Sequence, residues 1–335
     1  MSDLDIVTGG GGFIGSHLVD ALLARGRHVR VVDNFAVGRH SNLAQHQDNP
    51  LLETIEADVA DIATTRKVVK GADRVFHLAA LADIVPSIQN PEGYFLANVH
   101  GTFAVLEAAR AAGVRRLLYA ASSSCYGIST SFPTPETAPI EPQYPYALTK
   151  WLGEQQVLHW AKVYKLPALS LRLFNVYGPR ARTSGSYGAV FGVFLAQLMA
   201  GQPFTVVGDG TQTRDFTYVS DVVDAFLAAA DSDLVGSCYN IGSGATVSVN
   251  RIVALLGARE VTHIPKRPGE PDCTFADIAA VRRDLGWQPR VPIETGIQKL
   301  LENLEHWRDA PVWTPDAIKD ATRDWFKYLG ASDGR

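Results

Sequence analysis

Tyr146 and Lys150 stand four residues apart in "YPYALTK", so a helix through this stretch places both on one face. An ammonium beside a phenol favours the phenolate, the form that can take a proton. Bringing a tyrosine from its usual value of about 10 to near 7 takes roughly 4 kcal/mol. A second cation in a partly dry site would help supply it. Some two dozen residues upstream, "AASSSCYGIST" gathers Ser122, Ser123 and Ser124 just before Cys125-Tyr126-Gly127, with no carboxylate among them. Hydroxyls in such a cluster donate hydrogen bonds to a reacting oxygen.

These groups need a scaffold, and the first half of the chain reads as one. Short apolar runs ("LDIVT", "HVRVVD", "DRVFHLAA", "RRLLYAAS", "PALSLRLF") alternate with helical patterns over 13–25, 61–70 and 91–112. That grammar predicts βαβ units, a parallel sheet covered on both faces and an α/β, Rossmann-like doubly wound fold. After about residue 176 Gly, Pro, Ser and Thr become frequent. The expected division is a dinucleotide-binding domain over 1–175 and a mainly substrate-binding portion over 176–335, some of whose segments return to the first.

Between the first run and the first helix, "VTGGGGFIGSHL" places Gly9, Gly12 and Gly15, which permit a tight turn and close approach of a pyrophosphate to free N–H groups at the helix start. Asp33 ends the second run eighteen residues later. A carboxylate there accepts hydrogen bonds from a ribose 2′-OH and repels a 2′-phosphate, which favours NAD over NADP. Asp58 with Val59, after the third run, is a softer candidate for the adenine edge, with a surface turn as the competing reading.

Composition narrows the classes. The 335 residues carry a net charge of −4, giving no basic footprint for nucleic acid and no polybasic membrane anchor. Cys125, Cys238 and Cys273 are dispersed and include no CxxC pair, so no metal site and no disulfide framework is expected, which fits a reducing cytoplasm. A strand that begins almost at once leaves no room for a signal peptide, and the longest apolar segment, from Gly188 to Met199, is too short for a membrane span. A cytoplasmic location follows as the expectation.

Taken together with "HLAA" (77–80), "NVHGT" (98–102), "RLFNVYGPR" (172–180), "GDGTQTRDFTYVSDV" (208–222) and "RPGEP" (267–271), these motifs resemble the extended short-chain dehydrogenase/reductases, specifically the NAD-dependent epimerase/dehydratase family that acts on nucleotide sugars. The likeness spans essentially the whole chain. It implies Tyr146 as general base, Lys150 as its partner and ribose ligand, and a hydroxyl at Ser122, with Ser123 the close alternative, as donor to the sugar oxygen; Ser124 is expected on the sugar side or in a structural role. It implies NAD contacts from Gly9, Gly12, Phe13, Ile14 and Gly15, from Asp33, Asn34, Asp58 and Val59, and from Leu78, Ala79, Ala80 and Asn98.

On the substrate side the resemblance assigns Asn175, Arg214 and Arg267 to the diphosphate, for which bidentate arginine is well shaped. The segment "GSYGAVF" (185–191), with Ala189 and Val190, is similar to one that lies along the nucleotide in UDP-N-acetylhexosamine 4-epimerases, which tilts the base toward uracil without excluding guanine or thymine. Thr274 matches a gate position at which a small residue admits a 2-N-acetyl group.

Members resembling 4,6-dehydratases or UDP-glucuronate decarboxylases carry carboxylates where this chain has Ser123 and Ser124. A serine is a poor acceptor for a C5 proton, so epimerisation is the favoured reading: oxidation at C4 of a UDP-hexose (GlcNAc/GalNAc or Glc/Gal) by NAD, turning of the 4-keto sugar, and hydride return to its other face. A dehydratase, 4-dehydrogenase or reductase on a GDP- or dTDP-sugar is the alternative, and a non-enzymatic NAD-sensing protein the remote one. Relatives pair two long helices per subunit, here near 97–112 and 146–164, which implies a homodimer. The tail beyond about 306 extends past the family's usual end; its aromatic residues at helical spacing suggest packing on the body or on a neighbouring subunit, with no assigned function.

Overall fold

Seven strands, Leu4–Thr8, His28–Asp33, Leu52–Glu56, Arg74–His77, Arg116–Ser122, Ala168–Leu173 and Cys238–Ile241, form one parallel sheet in the computed structural model, which describes residues 3–181, 190–258 and 260–330. Counted along the chain, they lie side by side as 7-6-5-4-1-2-3. Every neighbouring pair is parallel. The inner strands are buried along nearly their whole length because helices cover both faces, which is why their sequences read as continuous apolar runs. Leu52–Glu56, at the sheet edge, is the exception and keeps exposed polar residues.

One face packs Leu18, Val19 and Leu22 of helix Phe13–Ala24 and Phe226 and Leu227 of helix Val219–Asp231 against Val7, Val29 and Val31. The other packs Val105, Leu106, Val157 and Ala161, from helices Gly101–Ala112 and Pro145–Tyr164, against Ile6, Val32 and Val75. A separate aromatic core made of Tyr177, Phe191, Phe194, Phe204, Phe216 and Trp307 organises the later part of the chain. The helical stretch expected over 91–112 differs in one detail. Its turn Leu96–His100 is a wider π turn, and Asn98 within it bonds outward to the backbone of Leu81.

The two edges of the sheet are built differently. At the amino edge, the buried Asp5 accepts from Arg27 Nε (3.0 Å) and Nη2 (2.8 Å) and from Arg74 Nε (2.8 Å). Asp73 accepts from Arg27 (2.8 Å) and Arg115 (3.0 Å). Buried carboxylates are tolerable when paired in this way. At the carboxyl edge, the first and fourth strands are neighbours whose following loops part in opposite directions, the point where such sheets open a ligand crevice. Among the described residues no helix is long and apolar enough to cross a membrane, and no side-chain cluster is suited to a metal ion.

Candidate active site

A cleft of about 710 Å³ runs along that carboxyl edge and on into the later part of the chain. Its first end is made by the glycine turn. A Cβ on Gly15 would lie 2.1 Å from Gly9 O, and one on Gly9, where φ is +73°, would lie 2.7 Å from Ala79 N, so only glycine fits at either place. Gly12 starts helix Phe13–Ala24 without a side-chain cap, leaving first-turn N–H groups open toward the cleft.

Asp33, almost wholly buried, accepts from Gly11 N–H through Oδ2 and from Phe35 N–H through Oδ1, both at 2.8 Å. Burial raises its carboxyl above the usual range, and the two backbone donors pull the other way. Asn34 donates to Asp58 at 3.3 Å, and Asp58 also accepts from Ala60 N–H at 2.8 Å. Phe13, Ile14, Val59, Leu78, Ala79 and Ala80 line the same end. This cradle, with its dipole-bearing helix start and fixed carboxylate, fits a dinucleotide without a 2′-phosphate.

Asn98 lies just outside the lining. Its amide donates to Leu81 O (2.9 Å) and Thr149 Oγ1 (3.0 Å), while its Oδ1 accepts from Leu81 N–H (2.8 Å). It ties the loop after the fourth strand to the helix that carries Tyr146 and Lys150. Its place is thus that of a positioning residue.

The candidate reacting groups meet in mid-cleft. Pro145 occupies the first turn of helix Pro145–Tyr164, where its fixed φ is favourable, and Tyr146 and Lys150 follow one turn apart. Glu154, a turn further on, is clamped by Arg172 (Nη2–Oε1 2.6 Å) and Ser170 (3.0 Å) and locks the helix to the sixth strand. Ser122 closes the fifth strand and caps the turn Ser123–Tyr126. Its Oγ lies 2.8 Å from Ser124 Oγ and accepts from Ser124 N–H at 3.2 Å. Ser122 and Tyr146 line the cleft together. Ser123 lines the cleft beside them.

Burial dominates the electrostatics here. Burial lifts the Tyr146 phenol above its ordinary value; the Ser122 hydrogen bond opposes this, and the nearby Asp83 carboxylate adds to it. Lys150 is shifted as well. Desolvation brings its own ammonium to about 7, with Glu154 opposing the fall, and its Nζ lies 4.2 Å from the centre of the Tyr119 ring. The protein's own groups therefore hold both members of the pair toward neutrality.

At the far end, Arg214 donates to Glu270 Oε1 (3.0 Å), and Arg267 donates to Glu270 through Nε (2.7 Å) and Nη2 (3.1 Å). Thr274 donates to Asn175 Oδ1 (2.9 Å) and accepts from Asp215 N–H (3.1 Å). Val190 begins helix Val190–Met199 on the cleft wall, whereas Ala189 and most of "GSYGAVF" fall outside the described residues. Among the lining residues that sequence reasoning did not assign to the site are Asp83, Tyr144, Glu270 and Trp325. Tyr144 and Glu270 lay inside quoted motifs, so their proximity was available. Asp83 carried no spacing signal, and the aromatic spacing around Trp325 spoke only for packing.

A family profile described as "NAD dependent epimerase/dehydratase family" matches residues 6–242. A UDP-glucose 4-epimerase of Mycolicibacterium smegmatis is 38% identical over 304 residues, covering 89% of this chain and 97% of the relative. The solved UDP-glucose 4-epimerase of Thermotoga maritima with UDP-glucose superposes with a TM-score of 0.84 at 32% identity, covering 91% of this chain and 99% of that one. The UDP-glucuronic acid 4-epimerase of Bacillus cereus in complex with UDP-glucuronic acid and NAD gives 0.84 at 30% identity, covering 90% and 99%. With the glycine cradle, the Asp33 carboxylate and the Ser122–Tyr146–Lys150 group in one cleft, these likenesses lead to a single conclusion: the chain belongs to the NAD-dependent epimerase/dehydratase family.

Proposed function

We propose that the protein is an NAD-dependent UDP-hexose 4-epimerase, acting on UDP-GlcNAc/GalNAc or UDP-Glc/Gal. The observation that carries this reading is the serine turn itself: Ser122, its Oγ 2.8 Å from Ser124 Oγ, lines the cleft with Tyr146 and brings hydroxyls with no carboxylate among them.

Held at the Gly9–Gly15 turn and by Asp33, NAD would supply the hydride acceptor for C4 and, in oxidised form, a positive charge in the cleft. The Tyr146 phenolate takes the proton of the 4-OH, and the Ser122 hydroxyl donates to the same oxygen as it becomes a carbonyl. Lys150, buried and poised near neutral pH, holds the proton whose charge favours that phenolate. On return, Tyr146 gives its proton back to the C4 oxygen. Arg214 and Arg267 hold the diphosphate and Asn175 contacts it, so the sugar turns while the nucleotide stays fixed. Thr274, small and turned to Asn175, leaves room for a 2-N-acetyl group.

A second reading has its own observation. Asp83 places a carboxylate in the cleft near Tyr146, and a base there suits a C5 proton in a dehydratase. Proton NMR in D2O with catalytic NAD separates the two, using UDP-GlcNAc, UDP-glucose and UDP-glucuronate. A 4-epimer without deuterium at C5 is expected. A 4-keto-6-deoxy product bearing solvent deuterium, or no turnover of any of the three, would overturn the epimerase reading.

The same proposal includes the division at about residue 175 into NAD-binding and mainly nucleotide-sugar-binding portions, a cytoplasmic location and a role in polysaccharide biosynthesis. It also includes a homodimer. Leu148, Val163 and Tyr164 expose apolar surface on the second helix expected to pair, and Phe95 and Leu96 do so just ahead of the first. Sedimentation at micromolar concentration checks the dimer, which Leu148→Glu should weaken.

A further inference from the structure

The aromatic tail has a definite destination. After helix Ile293–Glu302 the chain turns through Leu304–Trp307 and returns in helices Pro315–Ala321 and Arg323–Leu329, which bring Trp325 to the wall of the cleft. Trp325 is 4% exposed. Its indole N–H donates to Pro268 O at 2.7 Å, which fixes the turn that carries Arg267 and Glu270. The Arg267 guanidinium lies over the indole at 5.0 Å, and the Tyr144 ring is 6.4 Å away. Tyr144 in turn stacks on Tyr146 at 6.4 Å with planes 7° apart. On its outer side the tail helix is held by Gln89, which donates to Asp324 at 2.8 Å.

A guanidinium is planar, with two faces and five donors around its edge. With a face covered by indole, Arg267 keeps its plane and directs that edge to Glu270 and into the cleft. A long side chain pinned in this manner loses little freedom on meeting an anion. The geometry points to Trp325 as a positioning residue for the nucleotide diphosphate: the C-terminal helix belongs to the substrate site because it sets the orientation of Arg267. This inference rests on the proposed contact between Arg267 and the diphosphate.

The test is a double-mutant cycle on the full chain with NAD present, reading the binding of UDP and of uridine by calorimetry. Trp325→Ala should weaken UDP about five- to thirtyfold, leave uridine and NAD within about twofold, and raise KM for the nucleotide sugar with kcat little changed. Trp325→Phe, which keeps an aromatic face, should recover most of the loss. In an Arg267→Ala background, Trp325→Ala should add almost nothing. Equal UDP affinity in Trp325→Ala and the unaltered protein, or full additivity with Arg267→Ala, overturns the inference. So does an equal loss for uridine and UDP, which would mark a general collapse of the wall. If the unaltered protein binds GDP or dTDP but not UDP, the uridine reading alone is overturned and the cycle is read with the nucleotide that binds.

Discussion

Lys150 holds its ammonium against the face of Tyr119, 4.2 Å from the ring centre, while the Tyr119 hydroxyl donates to the Lys150 backbone carbonyl at 3.2 Å. One aromatic residue thus fixes both ends of the lysine. With no carboxylate in direct contact, burial brings the ammonium down to about 7. Lys150→Met should reduce kcat by roughly a hundredfold or more at pH 7, because the charge that favours the Tyr146 phenolate is gone. Steady-state rates on enzyme of verified NAD content check this, and a loss below about threefold would remove Lys150 from the proton step.

The neighbours of Tyr146 give opposite signs. Asp83 raises the phenol's pKa and the Ser122 hydrogen bond lowers it. Asp83→Asn should therefore move the acid limb of the kcat/KM profile to lower pH, and Ser122→Ala should move it to higher pH with a lower plateau. Profiles of the two variants that shift together, or not at all, would contradict the assignment.

Asp33 presents a carboxylate already oriented by two backbone donors. Replacing it by Ser should weaken NAD about tenfold or more, since hydrogen bonds to a charged group contribute about 1.5–3 kcal/mol. It should also narrow the preference over NADP, because the group that repels a 2′-phosphate is lost. Fluorescence titration with both dinucleotides measures the two effects together.

His77 supplies a pH signature of stability. It lies fully buried between Thr8 Oγ1 (2.7 Å from Nδ1) and Thr102 Oγ1 (3.0 Å from Nε2). Thr102 donates onward to Asn98 O at 2.6 Å, so its oxygen accepts from Nε2–H, and Nδ1 accepts from Thr8. Burial, with the Lys150 charge as a smaller cause, lowers His77 from 6.5 to about 3. The unfolded chain then binds the extra proton between those values, so the contribution is whole above pH 6.5 and is lost as pH falls toward 3. Urea unfolding of His77→Gln should show a shallower decline than the parent across that window.

Much of this architecture is legible in the sequence, because the groups that make the sheet and cofactor turn act locally. Gly9 and Gly15 are demanded by contacts within a few residues or with the adjacent strand, and Tyr146 and Lys150 share a face by helical spacing alone. The helix break at Leu96–His100 was not legible, since it depends on Asn98 bonding a loop seventeen residues away. Nor was the altered electrostatics of Tyr146 and Lys150. A pKa reflects everything that surrounds a group, and Asp83 and Tyr119 come from other elements. Trp325 was the most hidden, since its partners Tyr144 and Pro268 approach it only once the whole chain has folded.

The ionic lattice of Asp5, Arg27, Asp73, Arg74 and Arg115 sits at the edge of the sheet opposite the cleft. A five-residue strand separates the two edges by about 17 Å. Changes at one end therefore have few shared partners with the other, and their effects should combine nearly independently. Natural drift can retune the sugar pocket while the charged edge keeps the fold intact, and a designer seeking heat resistance can work on that edge without touching turnover.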